Sequence, residues 1–114
     1  MKVKSWNNGS PNLKSGSGFG IRIKKADRDI FFKKNWDKVE ITIENETPFT
    51  LKITASFWKT CAELRSKKLG DWFLRTGKFE WDQGLPYEYY LILVGGNNFR
   101  LALLGDESSA KKTK

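Results

Sequence analysis

Residues 38–54 read KVEITIENETPFTLKIT and contain two runs in which apolar and polar residues alternate. The apolar side chains recur at every second position of each run, at Val39, Ile41, Ile43, Phe49, Leu51 and Ile53. Because successive side chains of a strand point to opposite faces of a sheet, each run predicts a strand with one buried face. The short segment 44–48, with its asparagine and proline, favours a turn, so the two runs predict a β-hairpin.

The segment before this hairpin predicts a strand followed by a short helix. Apolar residues at 19, 21 and 23 alternate with Gly20, Arg22 and Lys24, which indicates a strand with a cationic solvent face. In residues 25–36, KADRDIFFKKNW, Asp27 is a candidate N-cap and three consecutive apolar residues favour a short helix.

The segment after the hairpin predicts helices and then a second hairpin. Phe57, Cys61 and Leu64 are spaced at i, i+4 and i+7, so we expect residues 56–65 to form an amphipathic helix capped by Ser56, with Cys61 facing the core. Residues 66–77, SKKLGDWFLRTG, predict a further turn or helix that stops at its final glycine. Residues 87–94, YEYYLILV, predict a central strand buried on both faces, and the glycine- and asparagine-rich turn 95–98 leads into a closing strand.

These elements predict an α+β fold, in the order strand, helix, hairpin, helices, hairpin. We expect a mainly antiparallel curled sheet or open pseudobarrel with two or three short helices. The Ser-, Gly- and Asn-rich composition before residue 19 indicates a flexible basic N-terminal arm over residues 1–18. We expect one domain over residues 19–104 and a disordered tail over residues 105–114.

The composition disfavours most enzyme classes. The chain of 114 residues contains one cysteine and no histidine, which excludes an intrachain disulfide and removes the commonest general base and metal ligand. No phosphate-cradling GxxxxGK[ST] loop is present. We therefore expect a non-enzymatic domain without a cofactor or a metal. The amino-terminal sequence does not resemble a signal peptide and no apolar run is long enough to span a bilayer, so we expect a cytoplasmic protein without a membrane partner.

The charge distribution indicates a polyanionic partner. Residues 1–38 contain ten Lys and Arg against three Asp, a local charge of +7 within a total of +8. A concentration of cations in one part of a chain is typical of nucleic-acid-binding domains, and we expect DNA rather than RNA. The candidate nucleic-acid-binding residues are Lys14, Arg22, Lys24, Lys25, Arg28, Lys33, Lys34, Lys52 and Lys59. For Lys33 and Lys34 the alternative is that they only offset the negative end of the first helix. Trp58, Trp72 and Trp81 could stack on unpaired bases, but their size favours a place in the core.

Three stretches resemble the B3-type DNA-binding pseudobarrel of plant transcription factors and of the recognition domains of some restriction endonucleases. They are IRIKK (21–25) running into ADRDIFFKKNW (26–36), ITASFW (53–58), and YLILVGGNNFRL (90–101). The proline usual at the start of the family's first helix is missing, and residues 66–86 form a longer connection than the family's pattern has. The resemblance implies that two arms grip the major groove of duplex DNA. Arg22, Lys24 and Lys25 would then belong to the first arm, and residues 52–59 to the second.

Two other functions are compatible with the sequence. A protein-interaction or regulatory adaptor would use exposed aromatic side chains, and its binding would tolerate salt. A small enzyme would need the carboxylates of Asp71, Glu80 and Asp82 to meet in one pocket, although ordinary loop and helix-end positions explain these acids more simply.

Overall fold

The computed structural model describes residues 1–43, 46–82 and 84–103. Within these ranges the chain forms seven strands and three helices. In chain order they are β1 (Lys2–Asn7), β2 (Phe19–Ile23), α1 (Lys25–Phe31), β3 (Lys38–Ile43), β4 (Phe49–Lys52), α2 (Ala55–Lys59), β5 (Glu63–Arg65), α3 (Lys67–Thr76), β6 (Glu88–Gly95) and β7 (Asn98–Leu103). The predicted tail, residues 105–114, lies outside the described residues.

The strands form one sheet in the order β4-β3-β7-β6-β1-β2-β5, which curls into a nearly closed barrel. Neighbouring strands are antiparallel except β3 and β7, which run parallel. The predicted α+β class with a mainly antiparallel curled sheet is confirmed. Curling brings the apolar faces of all strands toward one interior, where side chains from both halves of the sheet pack together.

The two predicted hairpins are present. In the first, β3 and β4 pair with Val39 opposite Leu51 and Ile41 opposite Phe49. In the second, β6 and β7 pair with Leu91 opposite Leu101. The strand β6 is central, between β7 and β1, but the expectation that both its faces are buried is wrong. Its residues alternate between buried and partly exposed because only one face points into the barrel.

The predicted flexible arm is wrong for Lys2–Asn7, which form the interior strand β1 between β6 and β2. Val3 and Ser5 are buried, whereas Lys2 and Lys4 are exposed. Hydrogen bonding of β1 to two neighbouring strands satisfies its backbone, so a short strand with a single buried aliphatic side chain is stable there.

A loop of turns follows β1 and packs against α3. The side-chain carbonyl oxygen of Asn12 accepts hydrogen bonds from the backbone N–H groups of Lys14 and Ser15, both at 2.9 Å. Gly16 lies directly on Gly70 of α3, where a Cβ on Gly70 would stand 1.9 Å from the Gly16 carbonyl oxygen. Only a residue without a side chain fits at this crossing.

The predicted helix over residues 56–65 is too long. The helix α2 ends at Lys59, and Glu63–Arg65 form the edge strand β5, which pairs with β2. This pairing gives the segment backbone hydrogen bonds that compete with continuation of the helix, and it leaves Cys61 exposed instead of in the core. The predicted N-caps are also displaced: the N-cap positions are Lys24 in α1 and Thr54 in α2, and neither side chain makes a capping hydrogen bond.

Aromatic side chains from the helices fill the barrel. Phe32, which follows α1, packs on Phe57 of α2 and stacks on Phe99 of β7, with centroids 5.1 and 4.8 Å away. From α3, Phe73 contacts Phe19 edge-on at 5.8 Å and stacks on Tyr89 at 5.6 Å. The helices therefore hold the positions of β2, β6 and β7, and the first two of these strands carry residues of the site described next.

Candidate nucleic-acid interface

Cations from β1 and β2 lie side by side on the outer surface of the barrel. Lys4 is opposite Arg22 in the register of the two strands, on the face that points away from the core. A pocket of about 210 Å³ is lined by Lys2, Lys4, Arg22, Ile23, Lys24 and Glu88. Four of its six lining residues carry positive charge and one carries negative charge, so the pocket favours an anion.

A second concavity adjoins the first one, because Arg22 and Ile23 line both. It measures about 340 Å³, and its other lining residues are Lys25, Thr60, Cys61, Ala62 and Glu63. It lies between the junction of β2 with α1 and the connection from α2 to β5. We call Lys2, Lys4, Arg22, Lys24 and Lys25, which line these two concavities, the basic face.

Glu63 lies on the outer side of the sheet, but its carboxylate is buried beneath neighbouring side chains. It stands opposite Arg22 in the register of β5 and β2, and its side chain is only 2% exposed. Arg22 donates to Glu63 Oε2 through Nε, at 3.1 Å, and through Nη2. Arg65 donates from Nη2 to Glu63 Oε1 at 3.2 Å. The two arginine side chains, 59% and 58% exposed, therefore cover the carboxylate that holds them.

Arg65 is held a second time by Trp6, whose ring lies 4.7 Å below its guanidinium. Gly20 stands between the two residues in the strand order, opposite both Trp6 and Arg65, and it has no side chain to separate them. The pair borders a further pocket of about 340 Å³, whose lining includes Ser17, Ser66 and Lys67. The positive surface thus extends along the whole outer face of β2.

Arg28, a predicted nucleic-acid ligand, is instead a structural residue. It is buried, and its Nη1 donates to the carbonyl oxygens of Phe57 and Trp58 at 3.0 and 3.2 Å. Its Nε donates to Asp29 at 3.0 Å. Charge patterning could not separate this arginine from its exposed neighbours, because burial of residue 28 depends on where α2 packs.

The remaining predicted residues lie outside the basic face. Lys14 is in the loop at the opposite end of the β1–β2 hairpin from Lys24. Lys33 and Lys34 are exposed after α1, and the Lys34 ammonium lies 5.9 Å from the Trp58 ring centroid. Lys52 ends β4, and Lys59 ends α2 just before residues 60–63, which line the second concavity.

Lys2, Lys4 and Arg65 belong to this surface but were not among the predicted ligands. A signal for the first two was present, since they alternate with Val3 and Ser5 in the period of a strand. Nothing in the sequence indicated that Arg65 belongs to this surface, because residues 56–65 also fit a helix that ends at Arg65.

The three tryptophans and the candidate catalytic acids lie outside the basic face. Trp72 is buried in the core, as its size favoured, while Trp58 and Trp81 are half-buried at its margin. Asp71 accepts a hydrogen bond from Arg75 at 2.8 Å. Over the described ranges, no group of three or more Cys, Asp or Glu side chains is placed to hold a metal ion. Nor does any helix in the same ranges have the length and apolar character required to cross a membrane.

Comparison of this chain with protein-family models, with curated proteins and with solved structures finds no match.

Proposed function

We propose that this chain is a non-enzymatic domain that binds duplex DNA through the basic face. The observation that carries the proposal is the pocket at which Lys2, Lys4, Arg22 and Lys24 converge. Glu88 lines the same pocket and Glu63 pairs with Arg22, so the three lysines supply the excess positive charge. Each phosphate neutralised by such a cation releases condensed counterions, which favours binding. The partly exposed lysines supply mobile point charges that can follow a phosphate backbone.

The shape of the surface favours a duplex over a single strand. The second concavity is flanked by two separate chain segments, the β2–α1 junction with Lys25 and the α2–β5 connection with Thr60 and Cys61. The resemblance to B3-type domains, in which two arms enter the major groove, agrees with this arrangement. In this proposal Arg22, Lys24 and Lys25 form the first arm, and residues 52–59 form the second, which leads directly into Thr60 and Cys61 of the concavity.

Fluorescence anisotropy with a labelled random-sequence duplex tests the proposal. Four phosphate contacts, one from each lysine of the basic face, predict that log K falls with log salt concentration with a slope of about −3 to −4. In the double variant Lys4→Glu/Lys24→Glu we expect the slope to decrease in magnitude by about 2 and the affinity to fall at least about tenfold. The matched control, Lys68→Glu/Arg100→Glu, makes the same change of charge on α3 and β7.

Two outcomes would reject duplex binding by this face. One is equal loss of affinity in both double variants, which would indicate only a diffuse effect of net charge. The other is the lack of salt-dependent binding in the unmodified protein. Salt-tolerant capture of a protein would instead favour the adaptor function.

A further inference from the structure

We infer that Arg22 and Arg65 recognise guanine bases and that Glu63 is the residue that positions them. The inference rests on the proposed function and deepens it by assigning base recognition to a part of the surface distinct from the phosphate-binding lysines. The observation behind it is the buried carboxylate of Glu63, which a surface that binds only phosphate would not need.

Glu63 weakens this surface as a phosphate site. Two arginines that share one carboxylate present about half the charge that they would present without it, and the carboxylate itself repels phosphate. A protein that needed only positive charge here would do better with a neutral residue at position 63. What the carboxylate adds is orientation, because it fixes the plane of each guanidinium through hydrogen bonds.

The fixed arginines keep the donors that guanine requires. Within the described residues, Arg22 uses Nε and one hydrogen of Nη2 toward Glu63, so Nη1 and the second hydrogen of Nη2 remain as two parallel donors. Arg65 donates from Nη2 to Glu63 and lies over the Trp6 ring, so the plane of its guanidinium is fixed as well. A planar guanidinium that donates two parallel hydrogen bonds matches O6 and N7 of guanine in the major groove.

The position of the pair in the sheet suits entry into a groove. β5 ends the strand order and pairs with β2, which pairs with β1 on its other side, so the two arginines lie beside the end of the sheet. The major groove of B-DNA, about 12 Å wide, can receive exposed side chains from such a sheet end. Arg22 and Arg65 are diagonal neighbours on the two strands, a separation of about 7–8 Å at the backbone. The recognised guanines should therefore lie within about three base-pair steps of each other, given roughly 3.4 Å per step.

Selection from a duplex pool with a randomised core of about ten base pairs tests the inference. We expect the unmodified protein to enrich guanine-containing sequences. Replacement of the enriched guanines by 7-deazaguanine, which lacks the N7 acceptor, should weaken binding about tenfold. The variants Arg22→Lys and Arg65→Lys keep the charge, so each should lose this discrimination while the salt dependence stays unchanged.

The variant Glu63→Gln separates positioning from charge. It removes a negative charge, so affinity for random duplex should hold or rise, yet the ratio of guanine to 7-deazaguanine affinity should fall toward one. A purely structural role would lower both affinities together. Should Glu63→Gln fail to fold, Arg65→Lys, at an exposed position, still tests whether the guanidinium distinguishes guanine from 7-deazaguanine.

The two proposals fail in different ways. If the unmodified protein binds duplex but does not distinguish guanine from 7-deazaguanine, or if Glu63→Gln retains the distinction, the guanine assignment is overturned and duplex binding stands. If the unmodified protein binds no duplex at all, both are overturned.

Discussion

The guanidinium of Arg28 in α1 donates a hydrogen bond to the carbonyl oxygen of Phe57 in α2, at a distance of 3.0 Å. The same nitrogen reaches the Trp58 carbonyl oxygen, and the guanidinium carbon lies 5.3 Å from the Trp58 ring centroid. Carbonyl groups in the last turn of a helix have no partner within the helix. Arg28 satisfies two of them in α2 and so joins the two segments that flank the second concavity.

Loss of this contact should destabilise the whole domain. Arg28→Met keeps the apolar stem but leaves two carbonyls without their donor, and we expect it to lower the free energy of unfolding by about 2–4 kcal/mol. Urea denaturation measures the change. Lys25→Met, at an exposed position of the same helix, should stay within about 0.5 kcal/mol. Equal effects of the two variants would contradict a structural role for Arg28.

Gly70 tests the packing of the β1–β2 loop on α3. Helix propensity alone predicts that Gly70→Ala stabilises the protein by about 1 kcal/mol. The contact with Gly16 predicts the opposite sign, because the added Cβ would overlap a backbone carbonyl. We expect a net loss of about 1–3 kcal/mol, measured by thermal unfolding against Lys68→Ala on the same helix. A rise in Tm would show that the loop does not pack as described.

Tyr89 should make stability depend on alkaline pH. Burial raises the pKa of Tyr89 to about 12 from an ordinary value of 10, and within the described residues the buried hydroxyl has no hydrogen-bond partner. The folded state therefore keeps a proton that the unfolded state loses above about pH 10, so stability falls as pH rises from about 10 to 12.

Removal of the Tyr89 hydroxyl should reduce this dependence. In urea unfolding at neutral pH and at about pH 11, we expect Tyr89→Phe to retain about 1–2 kcal/mol more of its stability than the unmodified protein does. Tyr90→Phe, on the outer face of the same strand, is the control. An identical loss in all three proteins would contradict the role of burial.

The parts of the fold that the sequence predicted are those with strong local patterns. The hairpin of β3 and β4 shows a period of two over both strands, and α3 combines an apolar face with a terminal glycine at Gly77. Where local pattern and tertiary pairing compete, sequence reasoning was wrong. Lys2–Asn7 and Glu63–Arg65 carry weak patterns, and they become strands because β2 offers hydrogen-bonding edges on both sides.

The sequence predicted the part of the candidate site that runs from β2 into α1. Arg22, Lys24 and Lys25 were predicted because they follow a clear strand pattern into α1. The alternation of Lys2 and Lys4 with Val3 and Ser5 indicated a strand, but it did not show that this strand lies beside β2. The triad of Arg22, Glu63 and Arg65 likewise depends on which strands flank β2. The prediction that Arg28 binds nucleic acid was wrong for the same reason. In the sequence this arginine looks like the exposed cations beside it, and only the packing of α2 shows that it is buried.

Alkylation of Cys61 tests the position of the bound duplex most directly. Cys61 is the single cysteine of the chain, is exposed, and lines the second concavity together with Lys25. We expect saturating random-sequence duplex to slow its reaction with a neutral maleimide at least about tenfold at low salt, and high salt to abolish this protection. Lys24→Glu/Lys25→Glu should react at the unprotected rate whether or not duplex is present. An undiminished rate in the unmodified protein at a duplex concentration that saturates the anisotropy signal would contradict binding at the basic face.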